Sequence, residues 1–221
     1  MATVTEVFED PRVVALIEAA RSGSRAAAEA AVRTGADVNA RGALGMTPAL
    51  FVTVERDATA LRLLLDLGAA PDLADDEGHP PLEWAVQFED PAFVETLLAH
   101  GADPNVRSHL DEPVTLTAID ADQGHLAPLL AAGADPEAKA PAGDTAILRL
   151  AMANRFEEVA RLIEQGADFL RVDATGGTVA LYVQESRVDP RSPNAEWREK
   201  VRAMLEARGV TFPVPRPWEA R

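Results

Sequence analysis

The sequence predicts an all-α solenoid of about six helix-turn-helix repeats, closed by a capping repeat at each end. Three observations predict it. The segments GADVNA, GAAPDL, GADPNV, GADPEA and GADFLR begin at Gly35, Gly68, Gly101, Gly133 and Gly166, at intervals of 33, 33, 32 and 33 residues, and a fixed period of this length marks a repeat architecture. Pro48, Pro81 and Pro113 keep step, each 20 residues before the glycine of its own repeat. Within a repeat, two apolar stripes at helical spacing are separated by a short polar break.

The third repeat shows how each element arises. Pro81 suits the first turn of a helix, where its missing N–H costs nothing, and Leu82, Ala85 and Val86 make one face apolar. Pro91 opens a second stripe of Phe93, Val94, Leu97 and Leu98, which stops at Gly101, a residue suited to the left-handed conformation just past a helix. A single helix pair has too little apolar surface to fold alone, so the pairs must stack, and stability becomes a sum of intrinsic and neighbour terms. The expectation is one domain over 1–221, with repeats at about 9–41, 42–74, 75–106, 107–139, 140–172 and 173–210.

The two ends differ from the middle. VVALIEAARSGSRAAAEAAVRTG is Ala-rich, with Arg21, Arg25 and Arg33 available to solvent, and reads as the N-terminal cap. In the last repeat TGGTVALYV and WREKVRAMLEARG form the helix pair, and an insertion near 186–196 is expected as a loop between them. The tail 211–221 is proline-rich and extended. Phe212 and Trp218 are expected to pack on the last helix pair, and PVPRP alternatively suits an aromatic-grooved peptide-binding domain.

The repeat openings are MTPALFV at Met46, PPLEWAV at Pro80, EPVTLTA at Glu112 and DTAILRLA at Asp144. Together with the closing Leu-Leu pairs and the spacing, they resemble the ankyrin-repeat family, whose unit opens its first helix with Thr-Pro-Leu-His. The resemblance is strong from about Gly35 to Asp173. In that family the histidine ties neighbouring repeats by hydrogen bonds; here Leu50, Glu83, Thr115 and Leu148 occupy its place. The resemblance implies a protein-interaction module that uses its projecting turns and the inner face of its first helices. Transferred by position, the partner-binding candidates are Leu44, Met46, Val54 and Glu55, then Asp76, Glu77, His79, Gln87 and Phe88. The later repeats add His109, Asp111, Ile119 and Asp120, then Asp144, Met152 and Ala153. Phe88 is a candidate aromatic anchor, with packing against the next repeat as the alternative.

Composition narrows the function. With 221 residues, 47% of them hydrophobic, the chain can bury a substantial core. The absence of cysteine excludes disulfides, thiolate metal sites and a cysteine nucleophile. The acidic opening MATVTEVFEDPRVV lacks the pattern of a secretory signal, and no apolar run approaches the length of a membrane span, so a cytoplasmic protein without membrane contact is expected. A formal charge of -15 disfavours nucleic acid. Residues 75–139 hold 14 Asp and Glu against Arg107 and Lys139, which predicts a basic protein partner for the third and fourth repeats, or else a merely solvated acidic surface. High Arg, Ala and Pro with Lys139 and Lys200 as the sole lysines suggest a GC-rich bacterial genome.

No residues are assigned a catalytic role, and no metal or cofactor is expected. His79, His100, His109 and His125 do not lie four apart on one helix and are read as surface or capping residues. Asp75, Asp76 and Glu77 lack the spacing of a calcium loop and are read as solvated. Trp84 is read as a packing residue. The expected function is non-catalytic binding of a basic protein by a monomer, as adaptor or as an immunity-type inhibitor. The alternative is an enzyme or metal-dependent hydrolase on a solenoid scaffold.

Overall fold

A computed structural model of the protein describes residues 3–217. Among these residues there are thirteen α-helices, one 3-10 turn and no strand, only an isolated bridge between Arg107 and Pro113. The chain divides into two compact units, Met1–Ala134 and Asp135–Arg221.

The first unit opens with α1 (Val4–Val7) and continues as four helix pairs. These are α2 (Pro11–Arg21) with α3 (Arg25–Arg33), α4 (Pro48–Val54) with α5 (Ala58–Asp66), α6 (Pro81–Ala85) with α7 (Ala92–Ala99), and α8 (Val114–Ala121) with α9 (Leu126–Ala131). The second unit holds two pairs, α10 (Ala146–Met152) with α11 (Phe156–Glu164) and α12 (Val179–Glu185) with α13 (Pro193–Glu206). The predicted all-α class of helix-turn-helix repeats is what the chain adopts.

Local chemistry explains where the helices begin and end. Asp10, Thr47, Asp57, Thr178 and Ser192 accept hydrogen bonds from backbone N–H groups of the helices they precede, satisfying donors that the helix cannot pair internally. Pro48 and Pro81 take the first helical position, whereas Pro113 stands one residue earlier, as the N-cap of α8. The five repeat glycines follow the second helices at φ between 84° and 98°, a conformation costly for any side chain. In the first unit the core is a row of fully buried side chains that includes Leu16, Ile17, Leu61, Leu64, Leu82, Leu97 and Leu129; Ile147, Leu148 and Phe156 play that part in the second.

Several expectations change. Helix α1 precedes the anticipated cap, and its neighbour Phe8 is buried with its ring edge-on to Phe51 at 5.9 Å. The Leu-Leu pairs should be largely buried: Leu64 and Leu65 both are, whereas in the next two pairs Leu97 and Leu129 are fully buried and Leu98 and Leu130 half-buried at the edge of the stripe, since adjacent helical residues point about 100° apart. The insertion is only partly a loop: Ser192 and Pro193 supply an N-cap and a first-turn proline, so α13 starts at Pro193 and runs 14 residues. The tail docks on its own unit. Val214 exchanges hydrogen bonds with the Gln184 side chain at 2.8 and 3.2 Å, Arg216 reaches Glu185 at 2.7 Å, and Arg202 covers the Phe212 ring. Trp218 lies outside the described residues.

Consecutive repeats are joined by the fourth residue after the glycine. Asn39 accepts from the Ala70 N–H at 2.7 Å, Asp72 from Asp103 at 3.1 Å, and Glu137 from Asp168 at 2.8 Å. Asn39 and Asn105 also donate to the carbonyls of Gly68 and Gly133. Burial pushes the Asp72 carboxyl up despite the Asp103 N–H bond that favours its charged form. These side chains do the tying for which the family relies on its absent histidine, and Leu170 stands exposed at the same place in the last such segment.

Candidate functional site

The turns between repeats lie close together in the first unit. Asp76 N–H donates to the Leu44 carbonyl at 3.0 Å, and Arg41 reaches across to the Ala74 carbonyl at 3.1 Å. Gly45, at φ 73°, permits this approach: a Cβ there would stand 2.2 Å from the Asp76 carboxylate. The turn tips are the ninth residues after the glycines, Leu44, Glu77 and Leu110. Leu44 is 74% exposed and Leu110 66%, so two large apolar side chains flank an exposed acid. The sequence singled out Leu44 and missed Leu110, although the same nine-residue offset marks both.

Other candidates separate into surface and core. Asp76, Glu77, Gln87, His109, Asp111, Asp120, Met152 and Ala153 are exposed, while Met46, Val54, Glu55 and His79 are half-buried, Met46 packing on the core. Asp76 pairs with Arg41 at 3.4 Å and Asp111 with Arg107 at 2.5 Å. Gln87, His109 and Asp120 come together with Glu83 and Leu110 around one shallow cleft. Three candidates are buried instead. Phe88 is 5% exposed, wedged edge-on against Phe93 at 5.1 Å beneath the Arg56 guanidinium, because α6 stops at Ala85 and the chain turns inward. Ile119 belongs to the buried face of α8, and the buried Asp144 carboxylate is held by Arg149 at 2.5 Å.

The histidines are more engaged than the sequence suggests. His100 Nε2 meets Asp66 at 2.9 Å while its Nδ1 meets the Thr96 carbonyl at 2.8 Å. Bonding to Asp66, supported by Thr96, raises the His100 pKa; His100 and then Arg25 hold Asp66 below the usual carboxylate range. His125 is a capping residue, the buried N-cap of α9, with Nε2 2.7 Å from the Phe88 carbonyl. His79 and His109 stack with ring centroids 4.2 Å apart. His109 lies against Glu83, whose carboxylate meets Nδ1 at 2.6 Å and the backbone N–H at 3.2 Å. Glu83 is 5% exposed, a carboxylate buried where the family carries histidine. The Asp75 carboxylate takes the other imidazole: it lies 3.2 and 3.3 Å from His79 Nδ1 and accepts the backbone N–H of His79 at 2.9 Å. Burial works to raise the Asp75 carboxyl, but its bonds from His79 and Glu77 together outweigh this and lower it. His79, Glu83 and His109 thus form a group whose ligand atoms all lie within 4.8 Å of one another. The nearby Trp84 is half-buried, 5.8 Å from His79 between ring centroids.

Comparison with known proteins agrees with the architecture. Residues 16–108 match the family model described as ankyrin repeats, three copies. A Treponema pallidum ankyrin repeat-containing protein is 38% identical over 92 residues, 42% of this chain and 31% of the relative. Protein PhlB of Serratia liquefaciens is 30% identical over 117 residues, 52% of either chain. The chain therefore spans about half or less of the length of these relatives. The crystal structure of the ankyrin repeat domain of Bcl-3, a member of the IkappaB protein family, superposes with a TM-score of 0.71 over 95% of this chain and 90% of its own, at 18% identity. Three ankyrin repeats are thus matched over residues 16–108, and the chain has the ankyrin-repeat fold over nearly its whole length.

Proposed function

We propose that the chain is a non-catalytic, monomeric, cytoplasmic protein of bacterial origin that holds a basic protein partner against the turns of its second to fourth repeats, as adaptor or inhibitor. Ankyrin repeats are generally protein-protein interaction modules. Among the described residues, no helix is long and apolar enough to cross a membrane. The observation that carries the reading is the pair of exposed leucines, Leu44 and Leu110, at the same offset in the second and fourth repeats, with Asp76, Glu77, Asp111 and Asp120 exposed around them. Apolar contact within a charged rim is the anatomy of a specific interface, and the acidic rim favours a basic surface over nucleic acid.

The test captures partners with the purified chain and with two variants, Leu44→Ser/Leu110→Ser and the fourfold reversal of Asp76, Glu77, Asp111 and Asp120 to lysine. The wild type is expected to retain one basic protein in stoichiometric amount. The leucine variant should release it faster, and the reversal should slow its association and flatten the salt dependence. Unchanged kinetics in both folded variants would remove the turn surface from the interface.

A further inference from the structure

The cluster of His79, Glu83 and His109 does not depend on that reading and supports a different one. His79 comes from the turn before α6, Glu83 from the first turn of that helix, and His109 from the turn of the following repeat. The stacking of the third repeat on the fourth brings two imidazoles and a buried carboxylate together at one place. Two features argue against a chance surface grouping. Glu83 is almost wholly buried, and its carboxylate is held in place against His109 by the imidazole Nδ1 and the backbone N–H, which offsets the cost of burying it. In addition, Asp75 holds His79 through Nδ1, so that Nε2 is the ring nitrogen Asp75 does not engage; metal-binding imidazoles are commonly oriented in this way by a carboxylate behind them.

We propose that His79, Glu83 and His109 bind a zinc-class divalent ion that clips the third repeat to the turn of the fourth, leaving one coordination position to solvent. Two nitrogens and one carboxylate oxygen suit Zn²⁺, which takes four ligands at about 2.0–2.2 Å. They are too few oxygens for Ca²⁺ or Mg²⁺, which demand six or more ligands, chiefly oxygen. Ligand atoms that already lie within 4.8 Å of one another need only a small inward movement to reach that geometry. On binding, the ion replaces the proton between His109 Nδ1 and Glu83, and the neutral imidazole carries that proton on Nε2 instead. His109 is partly exposed at the cleft it lines with Glu83 and Leu110, so the ion has an entry path, and water or a partner's side chain can fill the fourth position.

The experiment uses the full chain, stripped with a chelator and titrated with Zn²⁺ in competition with a chromophoric chelator; Co²⁺ serves as a spectroscopic probe of coordination. One equivalent is expected to bind, with the visible absorption of four-coordinate cobalt, and millimolar Mg²⁺ should not compete. His109→Ala and Glu83→Gln should each weaken binding at least ~10-fold, and Asp75→Asn, acting on the orientation of His79, about 10–100-fold. His100→Ala serves as a control that keeps full affinity, and circular dichroism verifies that each variant is folded. Failure to bind micromolar Zn²⁺, loss of binding in the His100 control, or retention of wild-type affinity by both His109→Ala and Glu83→Gln overturns the proposal. Should Glu83→Gln not fold, His109→Ala alone decides, since its side chain stands at the surface.

Discussion

Leu97 and Leu98 are adjacent leucines on α7, and truncating each to alanine tests the packing register. Leu97 has no exposed surface, whereas Leu98 is half-buried. Leu→Ala removes three carbons; at roughly 0.8 kcal/mol per buried methylene, the transfer loss at Leu97 is about 2.4 kcal/mol. The neighbours of Leu97, Val94 and Phe93 among them, are themselves fixed in the core, so the site collapses incompletely and a cavity term is added, for a total of about 2–5 kcal/mol. At Leu98 roughly half the transfer term and little cavity apply, about 1 kcal/mol. Urea denaturation followed by circular dichroism reads both, provided the m-values stay equal so that midpoints report stability alone. A loss at Leu98 equal to or larger than that at Leu97 would refute the assigned register of the second helix.

Three other expectations concern titration and cooperativity. Tyr182 is the single tyrosine of the chain, and burial together with its hydrogen bond to Asp173 pushes its pKa up to about 12; absorbance at the phenolate band should therefore titrate near that value, and Asp173→Asn should bring it partway back. The neutral phenol's contribution is complete below its unfolded pKa of about 10 and disappears as pH climbs through about 12, so a midpoint near 10 in folded protein contradicts the burial. For the His100–Asp66 pair, the raised histidine stabilises fully below about pH 6.5 and fades as pH climbs past its folded value, while the lowered aspartate stabilises fully above about pH 3.9 and fades as pH drops through its own. The stability difference between wild type and His100→Ala should then be largest between those limits, at about 0.2–1 kcal/mol for so exposed a pair, and a difference that grows above pH 8 would reverse the argument. Finally, the glycine spacing runs unbroken through Gly133, and on this ground we propose that 1–221 unfolds as a single domain. Calorimetry should show one transition with equal calorimetric and van't Hoff enthalpies, and two separable transitions would divide it.

The repeat architecture was legible because it rests on backbone geometry. A glycine is needed wherever a second helix ends at positive φ, and a proline is tolerated only near a helix start, so both recur at the period of the fold. Side-chain direction was less accessible. The resemblance makes Phe88 a candidate anchor on the open face with packing as the alternative, and packing prevails because the helix ends three residues before Phe88 and the ring folds beneath Arg56. The histidine cluster was missed for a related reason. A histidine pair four apart on one helix is a local signal, whereas Glu83 and His109 are 26 positions apart, the separation of neighbours in successive repeats. The signal for it lies at an offset of nearly one repeat, where Glu83 at the motif's histidine place meets a partner in the next turn.

The joints between repeats have a consequence for how such a chain changes length. Asn39, Asp72 and Glu137 each grip a main-chain N–H of the succeeding segment, Glu137 adding an ion pair with Arg171 at 3.5 Å. The gripped residues, Ala70, Asp103 and Asp168, differ in side chain without altering the bond, since every residue but proline presents the same amide there. A repeat copied or deleted between two of its glycines would therefore arrive with its joint intact, whatever sequence it carried on its surface. Recombination can lengthen or shorten the array and reshuffle its exposed turns, and the linkage that holds one repeat to the next need not evolve anew.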